Sequence, residues 1–146
     1  KGIGLVGAEV RTAGEIITKS CPVALPVTPS RNLWARTLLS GLDTVALIIV
    51  NDNVICDRVG TVVQPMANSK VSVEIPTWLT PSQAFEVTED GIKDVRWKTE
   101  GAKAVVDLGT VEVTRFIVFT SDAGLRARLQ NVYEEKFSAN VKTLKG

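Results

Sequence analysis

Short runs of residues with high β propensity follow one another through most of the chain, and turn signals rather than helices separate them. Within a run the two faces alternate: Leu33, Ala35, Thr37 and Leu39 share one face, while Trp34 and its alternate neighbours share the other. Short strands at intervals of about 8–12 residues are typical of a sandwich or barrel. The sequence therefore predicts a mostly β fold, an antiparallel β-sandwich of the jelly-roll or Ig-like kind. The predicted strands are 23–27, 33–39, 44–51, 59–63, 71–75, 84–88, 92–98, 102–108 and 111–120.

The turn residues between these runs support antiparallel pairing. Asp90-Gly91 is the clearest hairpin signal, because this dipeptide adopts the backbone angles of a two-residue turn easily. Asn51-Asp52-Asn53 predicts a turn in which side chains bond the local backbone. The run 44–51 is apolar on both faces, which indicates a central strand that is covered on both sides.

Helical spacing replaces strand alternation near the N-terminus. Val6, Val10, Ala13 and Ile17 recur at intervals of three or four residues, and Cys21-Pro22 is expected to end this helix. We therefore expect segment 1–20 to be helical and 21–146 to form the sandwich domain with its C-terminal helix.

The C-terminal segment also has the period of a helix. An amphipathic helix is predicted over about 122–139, with Ser121 as its N-cap. Its apolar face should cover the sandwich. The residues of that face are Leu125, Leu129, Val132, Tyr133 and Phe137.

Composition excludes several classes of site. The 146 residues include no histidine, which excludes His-based triads, imidazole proton shuttles and His-ligated metals. With 17 Lys and Arg against 16 Asp and Glu, the net charge of +1 predicts no nucleic-acid partner and no membrane surface. The longest apolar run, 45–50, is far short of a membrane span. The sequence begins at Lys1 without Met, so we expect either a piece of a longer protein or a processed product.

Cysteines and oxygen-rich turns leave alternatives open. Cys21 and Cys56 either form one disulfide or stay unpaired. No cofactor is expected, with a structural calcium ion as the alternative, because Ca²⁺ binds clustered carboxylate and amide oxygens at loop corners. Turn chemistry alone also explains those oxygens. The residues concerned are Asp43, Asn51, Asp52, Asn53 and Asp57.

Catalytic groups are sparse. Glycoside hydrolysis needs only two carboxylates, and Asp52 with Asp57 or Glu86 with Glu89 are the pairs closest in sequence. The strand alternation places Glu86 outward, and Asp52 fits a turn. No serine lies in a nucleophile elbow and no glycine-rich phosphate loop follows a strand.

Exposed aromatic residues are the remaining candidates for binding. The apolar C–H face of a sugar ring stacks on tryptophan, so a rigidly held Trp is a candidate platform. Trp78 lies in Pro76-Thr77-Trp78-Leu79-Thr80-Pro81, where two prolines stiffen the loop. Trp34 shares a strand face with Arg36, either in the core or as an exposed platform. Trp97 is expected to pack in the core, and Tyr133, as part of the C-terminal helical face, is expected to pack against the sheet.

Several stretches of the sequence carry a resemblance to a known family. Residues 34–44 read Trp-Ala-Arg-Thr-Leu-Leu-Ser-Gly-Leu-Asp-Thr and lead into Ile-Ile-Val-Asn at 48–51. With the later runs 84–91, 95–97 and 114–120, this pattern resembles the β-sandwich domain that follows the catalytic barrel in many bacterial glycoside hydrolases. The resemblance covers about 23–120, and 4–20 is similar to the last helix of such a barrel. It implies a non-catalytic accessory module of an exported enzyme, secreted or periplasmic, and assigns no binding residues.

These observations together predict a carbohydrate-binding module. Sugar rings would stack on Trp78 or Trp34, with hydrogen bonds from Arg36 and Asp43. The expected partners are a polysaccharide of glucan, xylan or mannan type and the catalytic domain of the parent enzyme. One alternative is a purely structural domain, which predicts buried tryptophans and an exposed apolar patch near 4–20. The other is a small glycosidase with two carboxylates facing each other about 5–5.5 Å or 6.5–9.5 Å apart.

Overall fold

The computed structural model describes residues 2–146. Lys1 lies outside the described residues, as do the side chains of Ile3, Leu5 and Val6, so the predicted place of Val6 on a helical face is not addressed. The helices are α1 Gly2–Thr12, α2 Gly14–Thr18, α3 Leu125–Lys136 and α4 Ser138–Lys145. The strands are β1 Ser20–Val23, β2 Val27–Pro29, β3 Leu33–Ser40, β4 Thr44–Asn51, β5 Val54–Cys56, β6 Thr61–Val63, β7 Met66–Glu74, β8 Gln83–Thr88, β9 Gly91–Asp94, β10 Arg96–Glu100, β11 Lys103–Val111 and β12 Thr114–Thr120.

The strands form two large antiparallel sheets and one small one. The six-stranded sheet has the order β1-β3-β4-β12-β8-β9, and the four-stranded sheet has the order β10-β11-β7-β2. Strands β5 and β6 form a separate two-stranded hairpin. The predicted mostly β, antiparallel sandwich with N- and C-terminal helices is therefore confirmed.

The six-stranded sheet is covered on both faces. One face packs on the four-stranded sheet through residues such as Leu47, Ile49 and Phe119, which meet Val73 and Val106. The other face packs on the helices. Burial on both sides explains why β4 is apolar throughout, as its sequence predicted. The cluster on the helical side is made of Ala13, Ile16, Ala46, Phe85, Val87, Phe116, Val118, Leu125 and Leu129.

The N-terminal segment differs from its prediction at its end. Two helices replace one, and the chain becomes strand at Ser20, so that Cys21 and Pro22 lie in β1 instead of ending a helix. An edge strand tolerates proline because one of its sides needs no hydrogen-bond donor. Since Ala13 and Ile16 pack into the same cluster as the sheet, this segment contacts the sandwich directly. The division of the chain at residue 20 stays a prediction.

The C-terminal helical segment is broken in two at Phe137. Its predicted stripe is confirmed at Leu125, Leu129 and Tyr133, which are buried. The predicted N-cap at Ser121 is wrong, because α3 begins after Gly124, whose backbone N–H donates to the Asp122 carboxylate.

Two predicted strands are each divided between sheets. The run 92–98 breaks at Val95, so that β9 lies in the six-stranded sheet and β10 in the four-stranded one. The run 23–27 divides in the same way between β1 and β2. Such corners are where a sandwich passes a strand from one layer to the other. Local alternation continues through them, so the sequence pattern does not mark the change.

The hairpin predicted from Asp90-Gly91 is confirmed between β8 and β9, but its turn lies one residue earlier than this dipeptide. Thr88 pairs with Gly91, so the turn is centred on Glu89 and Asp90. Gly91 has φ +99°, and a Cβ there would meet the Tyr133 ring at 3.0 Å. Both the backbone angle and the close ring therefore favour glycine. Among the described residues, no helix combines the length and apolar character that crossing a lipid bilayer requires.

Candidate functional site

The register of the six-stranded sheet defines two opposite ends of the sandwich. At one end, which we call the Trp34 end, Trp34 of β3 pairs with Val50 of β4, which pairs with Thr114 of β12. At the other, the Trp78 end, Thr44 of β4 pairs with Thr120 of β12, next to Gln83 of β8 and the loop that carries Trp78. Predicted binding residues lie at both ends.

Trp34 and Arg36 form an exposed pair, which we call the Trp34–Arg36 platform. They are two residues apart on β3, so their side chains leave the sheet on the same face. Trp34 is 46% exposed, and the Arg36 guanidinium carbon lies over its ring, 4.8 Å from the centroid. The stacking restrains both long side chains. Of the two arrangements considered for Trp34, the structure has the exposed platform.

The platform lies on the part of β3 that the edge strand β1 does not reach. Arg36 pairs with Ile48 of β4, and β1 has already ended, because its last residue, Val23, pairs with Thr37. Trp34 pairs with Val50. The platform is therefore an aromatic and cationic group surrounded by aliphatic side chains on an otherwise apolar sheet face.

Trp78 is displayed by a turn rather than by a strand. The backbone N–H of Leu79 donates to the carbonyl of Pro76, which closes a four-residue turn around Thr77 and Trp78. Pro76 and Leu79 are buried and anchor the turn, while Trp78 is 62% exposed. No other aromatic ring and no cation stacks on the Trp78 ring in the described part of the chain. Its indole is therefore open to solvent on a fixed support.

Asp43 lies at the Trp78 end, far from Arg36. It follows β3 in the turn to β4, and its carboxylate accepts a hydrogen bond from the Thr44 hydroxyl at 3.0 Å. About 20 Å of extended β3 separates Trp34 from Ser40 next to this turn. The structure thus brings Trp34 and Arg36 together, but it does not bring them to Trp78 or Asp43.

Trp97 and Tyr133 pack as the sequence predicted. Trp97 is partly buried against the core between the sheets, with its ring 5.8 Å from that of Phe119 in an edge-to-face arrangement. Tyr133 is buried among the helices, next to Ala8 and Val141. Neither ring is a binding platform.

A polar cavity of about 350 Å³ lies at the Trp34 end, and part of its wall is an ion pair that sequence reasoning missed. Glu86 does not face outward as predicted but is buried, and both of its carboxylate oxygens accept hydrogen bonds from Arg115. Arg115 also donates to the carbonyls of Leu108, at 2.8 Å, and Thr110. It therefore joins the two sheets. Strand alternation places Glu86 and Val87 on opposite faces of the sheet. It does not reveal that β8 pairs with β12, the strand that carries Arg115.

Glu9 of α1 lines the same cavity without an ion-pair partner among the described residues. Burial, reinforced by the negative charges of Glu89 and Glu86, raises the pKa of Glu9 from 4.5 to about 7. Glu9 therefore titrates near neutral pH.

The five candidate calcium ligands do not all lie at one end of the sandwich, and calcium binding stays a prediction. Asp43 lies at the Trp78 end, whereas Asn51 lies at the Trp34 end, where its amide donates to the carbonyls of Gln64, Val111 and Glu112. The Asp57 carboxylate accepts bonds from its own turn. Within residues 2–146, no three Cys, Asp or Glu side chains are placed to hold a metal ion. Cys21 and Cys56 are both free and exposed.

Comparison with known proteins gives a likeness of fold. The chain is similar to α-L-fucosidase isoenzyme 2 from Paenibacillus thiaminolyticus, with a TM-score of 0.50 and 8% identity over 64% of this chain. It is also similar to a cycloisomaltooligosaccharide glucanotransferase of Paenibacillus sp., crystallised with cycloisomaltoheptaose, with a TM-score of 0.55 and 11% identity over 76% of this chain. No family model matches the sequence, and no curated protein matches it.

Each match covers only part of this chain and a smaller part of the other enzyme. The matched region is 15% of the fucosidase chain and 20% of the glucanotransferase chain. The chain therefore shares its β-rich fold with a small part of each of these larger enzymes. At 8% and 11% identity the likeness shows the fold alone. That fold agrees with the β-sandwich of the accessory domains that the sequence resembles.

Proposed function

We propose that this chain is a non-catalytic accessory module that binds polysaccharide as part of a larger, exported glycan-acting enzyme. The observation that carries the proposal is Trp78, a largely exposed indole held on a turn whose neighbours Pro76 and Leu79 are buried. A fixed, solvent-exposed indole loses little conformational freedom when a sugar ring stacks on it. The Trp34–Arg36 platform offers a second aromatic surface at the opposite end.

The Glu86–Arg115 ion pair at the Trp34 end supports a non-catalytic role, because it removes one carboxylate of the cavity from possible chemistry. Glycosidic cleavage needs one carboxyl group that can donate a proton and a second that is free to act as nucleophile or base. Glu86, the most buried carboxylate of the cavity, is held in a bidentate ion pair with Arg115 that occupies both of its oxygens, so it is not free to act as nucleophile or base. The fold match to only a small part of two enzymes supports the same role.

Affinity electrophoresis on soluble glucans, xylans and mannans tests the proposal. We expect at least one neutral polysaccharide to retard the chain, and Trp78→Ala to weaken that binding about tenfold through the loss of aromatic stacking. Leu42→Ala is the matched control, because Leu42 is also a large exposed residue at the Trp78 end. Absence of retardation on every glycan, or unchanged binding by Trp78→Ala, would refute the proposal.

A purely structural accessory domain is the second candidate. Val10 and Ile17, on the N-terminal helices, are exposed apolar residues in the region where this alternative predicts a packing surface. In contrast, the exposure of Trp34 and Trp78 favours binding. The structural domain predicts that no glycan retards the chain and that tryptophan fluorescence is unchanged by all of them.

A further inference from the structure

We infer that the Trp34–Arg36 platform binds a carboxylated sugar, such as a uronic acid residue of an acidic polysaccharide. This inference rests on the proposed polysaccharide-binding function and deepens it by naming the substrate class of the second platform. Its basis is the combination of an exposed indole with a stacked cation that forms no ion pair within the described residues.

The charge of Arg36 is not neutralised by the described residues. No Asp or Glu among them lies within ion-pair distance of its guanidinium, in contrast to Arg115, Arg126 and Arg128, which each contact a carboxylate. Its neighbour across the sheet is Ile48, and the edge strand β1 has ended before reaching it. The cation therefore lies on an apolar surface, where an anionic ligand would meet little competition from the protein.

The hydrogen-bonding capacity of Arg36 is also unused. Its side chain donates to no protein acceptor in the described part of the molecule, although a guanidinium carries five N–H donors at its edge. Stacking over the Trp34 ring restrains the group before a ligand arrives. A planar, restrained guanidinium matches a carboxylate in a bidentate arrangement, which a neutral hydroxyl cannot reproduce.

The indole supplies the second half of the site. Trp34 keeps 46% of its surface exposed although Arg36 lies over its ring. A pyranose ring can pack its C–H face on this remaining surface while its carboxylate reaches the guanidinium edge. A uronic acid carries both groups on one residue, whereas a neutral sugar uses only the indole and a free inorganic anion uses only the arginine.

Isothermal titration with oligogalacturonate and with its methyl ester tests this inference, because the ester removes the charge and keeps the ring. We expect the acid to bind about tenfold more tightly than the ester, as a charge-assisted bidentate contact predicts. Arg36→Gln should remove this preference, and Arg36→Lys should keep part of it. Arg96→Gln, which removes an exposed arginine from the other sheet, is the control and should change nothing.

The possible results separate the two proposals. Equal affinity for acid and ester, an unchanged preference in Arg36→Gln, or tighter binding of a single-stranded oligonucleotide than of the acid would overturn the inference. If neutral glycans still bind through Trp78 in that case, polysaccharide binding stands and only the assignment of the acidic sugar fails. If neither neutral nor acidic glycans bind, the proposed function fails as well. An unchanged melting temperature of Arg36→Gln verifies that the variant is folded.

Discussion

The two ends of the sandwich are closed by different chemistry. At the Trp34 end, polar side chains bridge the layers: Asn51 donates to the carbonyls of Val111 and Glu112, and Arg115 joins Glu86 to the opposite sheet through the carbonyl of Leu108. These groups are buried, so each must keep its partner.

The Trp78 end is closed by an apolar side chain, by backbone hydrogen bonds and by the buried neutral hydroxyls of Thr44 and Thr120, which bond to each other at 2.9 Å. Leu79 is 4% exposed and plugs the end, while its N–H and that of Ser82 bond to the carbonyls of Pro76 and Thr120. The two exposed tryptophans therefore lie at ends of one fold that are closed in different ways. The Trp34 end should respond to charge and pH, and the Trp78 end should respond to changes in packing.

The largest effect is expected from removing half of the ion pair at the Trp34 end. Glu86→Leu leaves the largely buried Arg115 without a counter-charge, so the free energy of unfolding should fall by about 3 kcal/mol in urea denaturation. Glu86→Leu combined with Arg115→Leu should recover part of this loss. Glu100→Leu, which breaks the exposed pair with Lys98, is the control and should cost less than about 1 kcal/mol. Equal losses from both single variants would show that the Trp34 end does not depend on this charge pair.

The next largest effect is expected from Leu79→Ala, which acts at the Trp78 end. It leaves a cavity under the turn, so the free energy of unfolding should fall by about 2–3 kcal/mol. Because the turn loses its anchor, neutral glycans should also bind more weakly, while binding at the Trp34–Arg36 platform should stay the same. Titration with both kinds of glycan measures this separation. A loss of affinity for both would mean that the two ends are not independent.

The smallest effect concerns Glu9 and the pH dependence of the Trp34 end. Because the pKa of Glu9 is higher in the folded state than in the unfolded state, the protonated carboxyl stabilises the fold. This contribution is fully present below about pH 4.5 and is lost as the pH rises through about 7. The full shift corresponds to about 3 kcal/mol, and solvent screening of this partly exposed group reduces the expected effect to about 1 kcal/mol. Glu9→Gln should therefore be more stable than the wild type at pH 8 and equal to it at pH 4. Urea denaturation of variant and wild type at both pH values measures this effect. A difference in the free energy of unfolding that is the same at pH 4 and pH 8 would contradict the assignment.

Some of the candidate site followed from sequence because it depends on neighbours within one strand. Trp34 and Arg36 are two residues apart, so the strand period alone puts them on one face. The flanking prolines likewise indicated a stiff loop around Trp78. Asp43 was placed with these residues only by chemical type, and the register puts it about 20 Å from Trp34 along β3.

Other features could not be predicted from the sequence, because they depend on contacts between distant segments. The Glu86–Arg115 pair joins residues 29 positions apart through the pairing of β8 with β12. The change of sheet at Val95 leaves no mark in the local alternation. The break at Phe137 and the start of α3 after Gly124 likewise depend on how the helices pack.

The sequence by itself determined the strand period, the antiparallel sandwich and the helical ends, because side-chain alternation and turn chemistry are local properties of the chain. It also indicated Trp78 and Trp34 as candidate binding residues, but it left open whether Trp34 is exposed. Only the tertiary structure decided that the two tryptophans lie at opposite ends, that Arg36 contacts an aromatic ring but no carboxylate of the described residues, and that Glu86 is buried. The physical reason is that charge and hydrogen-bond partners are set by strand order and register, which arise from long-range packing of the whole core.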